Sequence, residues 1–260
     1  MITHVKARSE RPAIYPERTH VPDERVSWDV PFPGYSPPYF VADTVLRHEG
    51  AWADPEDLTR IARRLESALG TLRFDGAGRP LNPCGRTGIA GRGLLGRWGT
   101  NPAGDPFVTR FDPDGGTLQA LFIRRKDSGT WALPGGMMDP GEDARETAAR
   151  ELFEEAGSRV DFSAARMVYQ GYVDDPRNTD HAWMETTCLH RHLSAEEAAA
   201  LVLEAGDDAD AVRWVTLTPA ALANLYGSHA ALVRDTLRGW LDHGSQPLPA
   251  AVQAQIRELL

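Results

Sequence analysis

The chain has little cysteine, no surplus of positive charge and no long apolar run, and each shortage closes off a class of protein. Only Cys84 and Cys188 occur, far apart and without metal-ligand spacing, so they read as two reduced thiols of a cytosolic protein. The formal net charge is -9, which argues against sequence-independent nucleic-acid binding. A phosphate-bearing ligand would then have to be met by local cations or by metal. No stretch approaches the roughly 18 apolar residues of a membrane helix, and Met1-Ile2-Thr3-His4-Val5-Lys6 lacks the apolar core of a signal peptide. The expectation is a soluble, cytoplasmic chain with neither a nucleic acid nor a membrane as partner. Its 260 residues, 42% of them hydrophobic, suffice for one large domain or two modest ones. Nothing in the sequence speaks to oligomeric state.

What is present begins with a proline-rich segment, residues 1 to about 40, interleaved with Tyr15, Trp28, Phe32, Tyr35, Tyr39 and Phe40. Such segments are often extended linkers, but the aromatics predict that this one packs on a surface, at least beyond Val21. Leu58, Ile61, Ala62, Leu65 and Leu69 recur with helical period, and Pro55 and Gly70 bracket them, so a helix is expected over Asp54 to Leu69. Gly91, Gly93 and Gly96 spell G-x-G-x-x-G, but no strand precedes them and no helix follows, so a dinucleotide fingerprint is rejected. That glycine-rich stretch, with Arg86, Arg92 and Arg97, is either an anion cradle or a tight connector. Strands are expected over 107–112, 118–125, Trp131 to Leu133, Met167 to Val173, Trp183 to Leu189 and Val212 to Val215. Helices are expected over Ala195 to Leu203, Ala220 to Tyr226 and Ala230 to Leu241, the last capped by Ser228. The alternation gives an α/β domain.

The chain is organised around Gly135 to Glu142, a glycine-proline turn, and the helix that follows it. Asp143 stands at the N-cap position and Gly157 at the C-cap position. Ala149, Leu152, Phe153 and Ala156 form one apolar face, while Glu151, Glu154 and Glu155 gather on another. Three adjacent carboxylates repel one another, with only Arg150 nearby. The arrangement makes sense around a hard divalent cation, which takes oxygen ligands and shares itself with substrate phosphates.

Gly136, Glu142, Arg150, Glu151, Leu152, Glu154, Glu155 and Gly157 match the signature box of the Nudix hydrolases, G-x5-E-x7-R-E-U-x-E-E-x-G-U, where U is bulky and apolar. Only Ser158 departs from it. The chain therefore resembles that family. The resemblance implies an α/β fold with a mixed β-sheet sandwiched between helices, and hydrolysis of a nucleoside diphosphate derivative with Mg²⁺ or Mn²⁺. Further stretches resemble one branch, the mitochondrial-type ADP-ribose pyrophosphatases, and the ADP-ribose-sensing domain of a melastatin-type cation channel. They include Trp52-Ala53-Asp54-Pro55, Gly85-Arg86-Thr87-Gly88, Gly91 through Gly99, Trp131 through Glu142, Gly171 through Asp180 and Leu203 through Ala209.

That likeness implies a smaller N-terminal domain, residues 1–103, before a Nudix domain, 104–260. It implies that Glu151, Glu154 and Glu155 hold the metal, that Arg150 orients Glu154, and that Asp175, Arg177, Tyr226 and His229 contact substrate. The general base is open among Glu185, Glu204, Asp207 and Asp208. The expected reaction converts ADP-ribose, a small-molecule nucleotide, to AMP and ribose 5-phosphate. The alternatives are a sensor that binds ADP-ribose with little turnover, or a Nudix hydrolase of another nucleoside diphosphate derivative. The intact carboxylate cluster favours catalysis.

Overall fold

A computed structural model describes residues 4–206, 208–243 and 248–260. The chain divides into two compact units, Met1–Pro102 with Gly171–Glu185, and Ala103–Gln170 with Thr186–Leu260. Residues 171–185 group with the first unit, which a division into two contiguous stretches does not provide for.

The first unit has little regular structure. It contains α1 (Lys6–Ser9), β1 (Tyr39–Val41), α2 (Asp43–Arg47), β2 (Arg73–Phe74), β3 (Pro80–Leu81) and β4 (Ala90–Gly93). β1 runs parallel to β4, and β2 pairs with β3 antiparallel. Packing of the proline-rich segment starts well before Val21, because His4, Ala7 and Tyr15 are already buried.

The helix expected over Asp54 to Leu69 is not there; the stretch holds only a 3-10 turn at Leu58–Arg60. Beyond it, half-buried and exposed positions alternate with period two, with Ile61, Arg63, Leu65 and Ser67 inward. Ile61 and Leu65, four apart, fit either period, and tertiary bonds chose the extended one. The Asp54 carboxylate accepts from Arg63 Nη2 at 2.6 Å and from the Trp98 N–H at 2.8 Å, which ties the chain down in that form.

The glycine-rich stretch is a connector. A Cβ on Gly88 would lie 2.2 Å from the Thr19 carbonyl oxygen, and one on Gly91 would lie 2.5 Å from that of Phe40. The glycines thus admit neighbouring backbone. Arg86 donates to the Arg25 and Ser27 carbonyls and stacks on Trp28, while Arg92 is wholly buried, so both guanidinium groups serve the unit's own structure.

The second unit carries most of the sheet; residues 99–102, 171–172 and 182–185 of its strands group with the first. Its elements are β5 (Gly99–Phe111), β6 (Leu118–Arg125), β7 (Trp131–Ala132), β8 (Gly136–Met137), α3 (Ala144–Ala156), β9 (Arg166–Tyr172) and β10 (Ala182–His192). α4 (Ala195–Ala200), β11 (Ala209–Thr216), α5 (Pro219–Ala223), α6 (His229–His243) and α7 (Ala250–Leu259) follow. The strand order is β11-β6-β5-β10-β9, with β7 on β6 and β8 on β5. Successive side chains of a strand face opposite ways. Accordingly Phe107, Leu118, Ala120 and Phe122 pack with Leu232, Val233 and Leu237 of α6 and Val252 and Ile256 of α7. Val108 and Leu121 pack instead with Ala148, Leu152 and Ala156 of α3. The sheet is therefore covered by helices on both faces. α7 has no counterpart in the sequence expectation. Within α3 the buried stripe is Ala148, Leu152 and Ala156, whereas Phe153, expected inward, is 43% exposed beneath the guanidinium of Arg159. Among the described residues no helix is long and apolar enough to cross a membrane.

Candidate active site

The site is built where β8 hands over to α3. Gly136 pairs with Gly104 of β5, which seats the turn on the sheet. Gly135 is required by its neighbours: a Cβ there would stand 2.4 Å from Asp105 Oδ1 and 2.8 Å from the Gly104 carbonyl oxygen, whereas one on Gly136 would meet only the Glu151 carboxylate, at 2.4 Å. α3 starts at a full capping box: the Asp143 carboxylate accepts from the Arg145 and Glu146 amides, and the Glu146 carboxylate accepts from the Asp143 N–H at 2.8 Å. Such a cap contributes about 1 kcal/mol and fixes where the helix begins. At the other end Gly157 adopts φ 69° and its N–H bonds the Phe153 carbonyl. Ser158, at the one departure from the signature, is buried with its hydroxyl donating to the Val202 carbonyl at 2.6 Å.

Arg150 is the hub. Nε and Nη2 grip Glu142 at 2.7 and 3.0 Å, Nη1 reaches Glu151 at 2.7 Å and Glu154 at 2.9 Å, and Nη2 also donates to the Met137 carbonyl. One guanidinium thus joins Glu154 to Glu142 and Glu151. Arg150 draws the Glu142 carboxyl down to about 2. Glu151 and Glu155, one turn apart, are buried. Burial pushes the Glu155 carboxyl up to about 7, with the charges of Glu151 and Asp208 adding to it and the Gly135 N–H, 2.9 Å from Oε2, opposing. Burial also raises Glu151, against the pull of Arg150.

Among the described residues no three acidic, imidazole or thiol groups converge as a metal site. Three of the four box carboxylates turn to Arg150 instead. The donor set still fits a divalent cation: it is all oxygen, it outnumbers its one arginine, and two members are buried where a cation would relieve them.

Tyr226 and His229 lie together in the second unit, ring edge to face at 5.9 Å. The Tyr226 N–H bonds the Trp131 carbonyl at 2.8 Å. His229 Nδ1 accepts the Leu133 N–H at 2.9 Å, leaving the proton of a neutral ring on Nε2. Both are thereby attached to the strand that enters the glycine turn. Arg125, held by Asp127, stacks on Tyr226 at 4.5 Å. Asp175 and Arg177 belong to the first unit and form a fork, Nε and Nη2 each 2.8 Å from a carboxylate oxygen. Burial pushes Asp175 up, but Arg177 more than offsets it and holds the carboxyl below its usual range.

Among the candidate bases, Glu185 is fully engaged in the first unit. Its buried carboxylate accepts from Ser67, the Ala68 N–H, Thr100 and Trp183 Nε1. Glu204 and Asp208 are exposed in the second unit. The Glu204 and Gly206 amides bond the Ala156 and Glu155 carbonyls, which docks that segment on the end of α3. Asp207 lies outside the described residues. Asp105, buried under Gly135, and Arg125, whose charge acts on Glu155, were not among the residues expected from sequence. Neither has a local motif that would have pointed to it.

The fold and this box define the class: residues 105–236 match the NUDIX domain, and the chain belongs to the Nudix family. Residues 21–99 match the NUDT9-like N-terminal domain. The chain is 40% identical to the mitochondrial ADP-ribose pyrophosphatase of Rattus norvegicus, over 89% of this chain and 77% of that one. It is 42% identical to putative nudix hydrolase 6 of Caenorhabditis elegans, over 83% of this chain and 88% of that one. A transient receptor potential M-like 2 channel of Nematostella vectensis is 38% identical over 89% of this chain, which is matched by 17% of the channel. The cytoplasmic expectation is corrected by the rat relative, whose name points to mitochondria. A missing apolar signal core argues only against secretion and does not choose among intracellular compartments.

Proposed function

We propose that the chain hydrolyses the pyrophosphate of ADP-ribose, with water, to AMP and ribose 5-phosphate. The observation that carries this reading is the excess of box carboxylates over their one arginine, with Glu151 and Glu155 buried and resisting ionisation. Glu151, Glu154 and Glu155 would hold Mg²⁺, with Mn²⁺ as a substitute. The cation would supply positive charge against the pyrophosphate oxygens and make water more acidic. Arg150 keeps Glu151 and Glu154 oriented on one helix face, with Glu142 as its anchor, and the Gly135 N–H holds Glu155. Asp175, Arg177, Tyr226 and His229 are assigned to substrate binding on the family resemblance. The domain division is taken as 1–103 and 104–260. With a net charge of -9, nucleic acid is not taken as a partner, and no membrane partner is proposed.

A sensor that merely bound ADP-ribose would have no use for the carboxylate cluster. The test is product formation across a panel of nucleoside diphosphate derivatives, with and without Mg²⁺. AMP and ribose 5-phosphate from ADP-ribose, formed only with the cation, are expected. Binding without products would establish the sensor, and preference for another derivative would reassign the substrate.

A further inference from the structure

Residues 4–20 precede the matched N-terminal domain, which begins at Val21. Their polar groups converge on one loop of the first unit, residues 174–178. The Asp174 carboxylate accepts the N–H groups of Val5, Lys6 and Ala7 at 2.7, 2.9 and 2.9 Å. The Tyr15 hydroxyl donates to the Arg177 carbonyl at 2.8 Å and accepts the Leu94 N–H at 2.7 Å. Arg18 Nη2 donates to the Pro176 carbonyl at 2.6 Å, and both of its terminal nitrogens reach that of Asn178 at 3.2 Å. Three successive carbonyls, 176 to 178, are thus fixed by two side chains of the N-terminal segment. Gly93 keeps the way open: a Cβ there would meet the Tyr15 hydroxyl at 2.0 Å.

These bonds fix the backbone on which the Asp175–Arg177 fork stands. A small misplacement of a substrate-gripping group can cost orders of magnitude in rate or affinity. We propose that residues 4–18 are a positioning strap, in which Tyr15 and Arg18 hold the Arg177 guanidinium in place for the diphosphate substrate. The proposal rests on the reading of Arg177 as a substrate-binding residue.

The test is steady-state kinetics of the full chain with ADP-ribose and Mg²⁺ for Arg18→Ala, Tyr15→Phe and Arg177→Ala, with thermal melts alongside. Arg18→Ala and Tyr15→Phe should each raise KM, the former about tenfold, with kcat within about twofold of wild type. Arg18→Lys should restore part of the loss. If Arg18→Ala does not fold, Tyr15→Phe carries the test, since its ring keeps the packing on Phe40. A raised KM in Arg177→Ala alone overturns the strap and leaves the Arg177 reading standing. A fall in kcat that merely tracks lost folded protein, with KM unchanged, also overturns it. If KM is unchanged in all three variants, the Arg177 reading itself has failed and the strap falls with it.

Discussion

Among the described residues two arginines each pair with more than one acid, one in each unit, and they are opposite in kind. Arg92, in the first unit, is wholly buried and reaches Glu49 at 3.2 Å and Glu56 at 2.9 Å, as well as the carbonyls of Gly96 and Asp54. Its acids are solvated, with side chains 29% and 43% exposed. Arg150, in the second unit, is 24% exposed, while Glu142 and Glu151 are 19% and 11% exposed. In the first cluster water supports the anions and the cation is locked in by structure. In the second, Glu142 and Glu151 are largely withdrawn from water, Glu154 is 43% exposed, and the anions are in excess. A buried cation whose terminal nitrogens all find acceptors, as those of Arg92 do while its Nε does not, is a structural tie. Buried anions with too few partners have room for another cation.

The largest expected effect sharpens that contrast from the anionic side. Glu154→Gln or Glu155→Gln should cut turnover by about 10²–10³, the scale of losing one electrostatic stabiliser of a transition state. Melting should not fall, because neither carboxylate is part of the apolar stripe of α3. Near wild-type kcat at saturating Mg²⁺ would remove that residue from the site.

Arg92→Leu should do the reverse, costing about 1–3 kcal/mol for each carbonyl it leaves unpaired, those of Asp54 and Gly96, while the folded fraction keeps its kcat. Denaturant melts beside activity measurements check this. An unchanged midpoint would break the comparison.

The rule that burial chooses the tolerated charge extends to His190, which burial holds down at about 3. Its pKa in the folded state lies below the unfolded value of about 6.5, so the unfolded chain takes up the proton first. Stability from this residue is therefore present above pH 6.5 and lost as pH falls towards 3, by a few kcal/mol in all. His190→Phe should flatten that part of a stability–pH curve, and an unaltered curve would contradict the assignment.

Arg177→Ala is a smaller case of the same kind, since it leaves a buried carboxylate without its fork. ADP-ribose affinity should weaken about tenfold to a hundredfold, at ~1.4 kcal/mol per decade. Calorimetry in Ca²⁺, used to suppress turnover, measures it. The smallest effect belongs to Phe153→Ala, within about 0.5–1 kcal/mol in a thermal melt, because that ring covers helix surface rather than core.

The box was legible because its information is local. Asp143, Glu146 and Gly157 state where α3 begins and ends, and a four-residue spacing alone puts Glu151 beside Glu155. The strands of the second unit were legible for the same reason, from alternation and turn residues. The first unit was not, because so much of its order lies in bonds between side chains and distant backbone. Ile61 and Leu65 satisfied a helical period that Asp54 and Arg63 then overruled. Glu185 looked like a free acid in sequence, and three donors from distant Ser67, Ala68 and Thr100, with its strand neighbour Trp183, claimed it. Nothing in 250–259 marked α7 beyond apolar spacing, since Pro249 and the chain around it carry no side-chain cap.

Manganese binding followed by electron paramagnetic resonance tests the central claim most directly, with wild type, Glu155→Gln and Arg92→Leu measured side by side. The account predicts that wild type and Arg92→Leu bind the ion alike and that Glu155→Gln loses most of its affinity. Equal binding by all three would mean that the carboxylates around Arg150 are a solvated helix face and not a cation site.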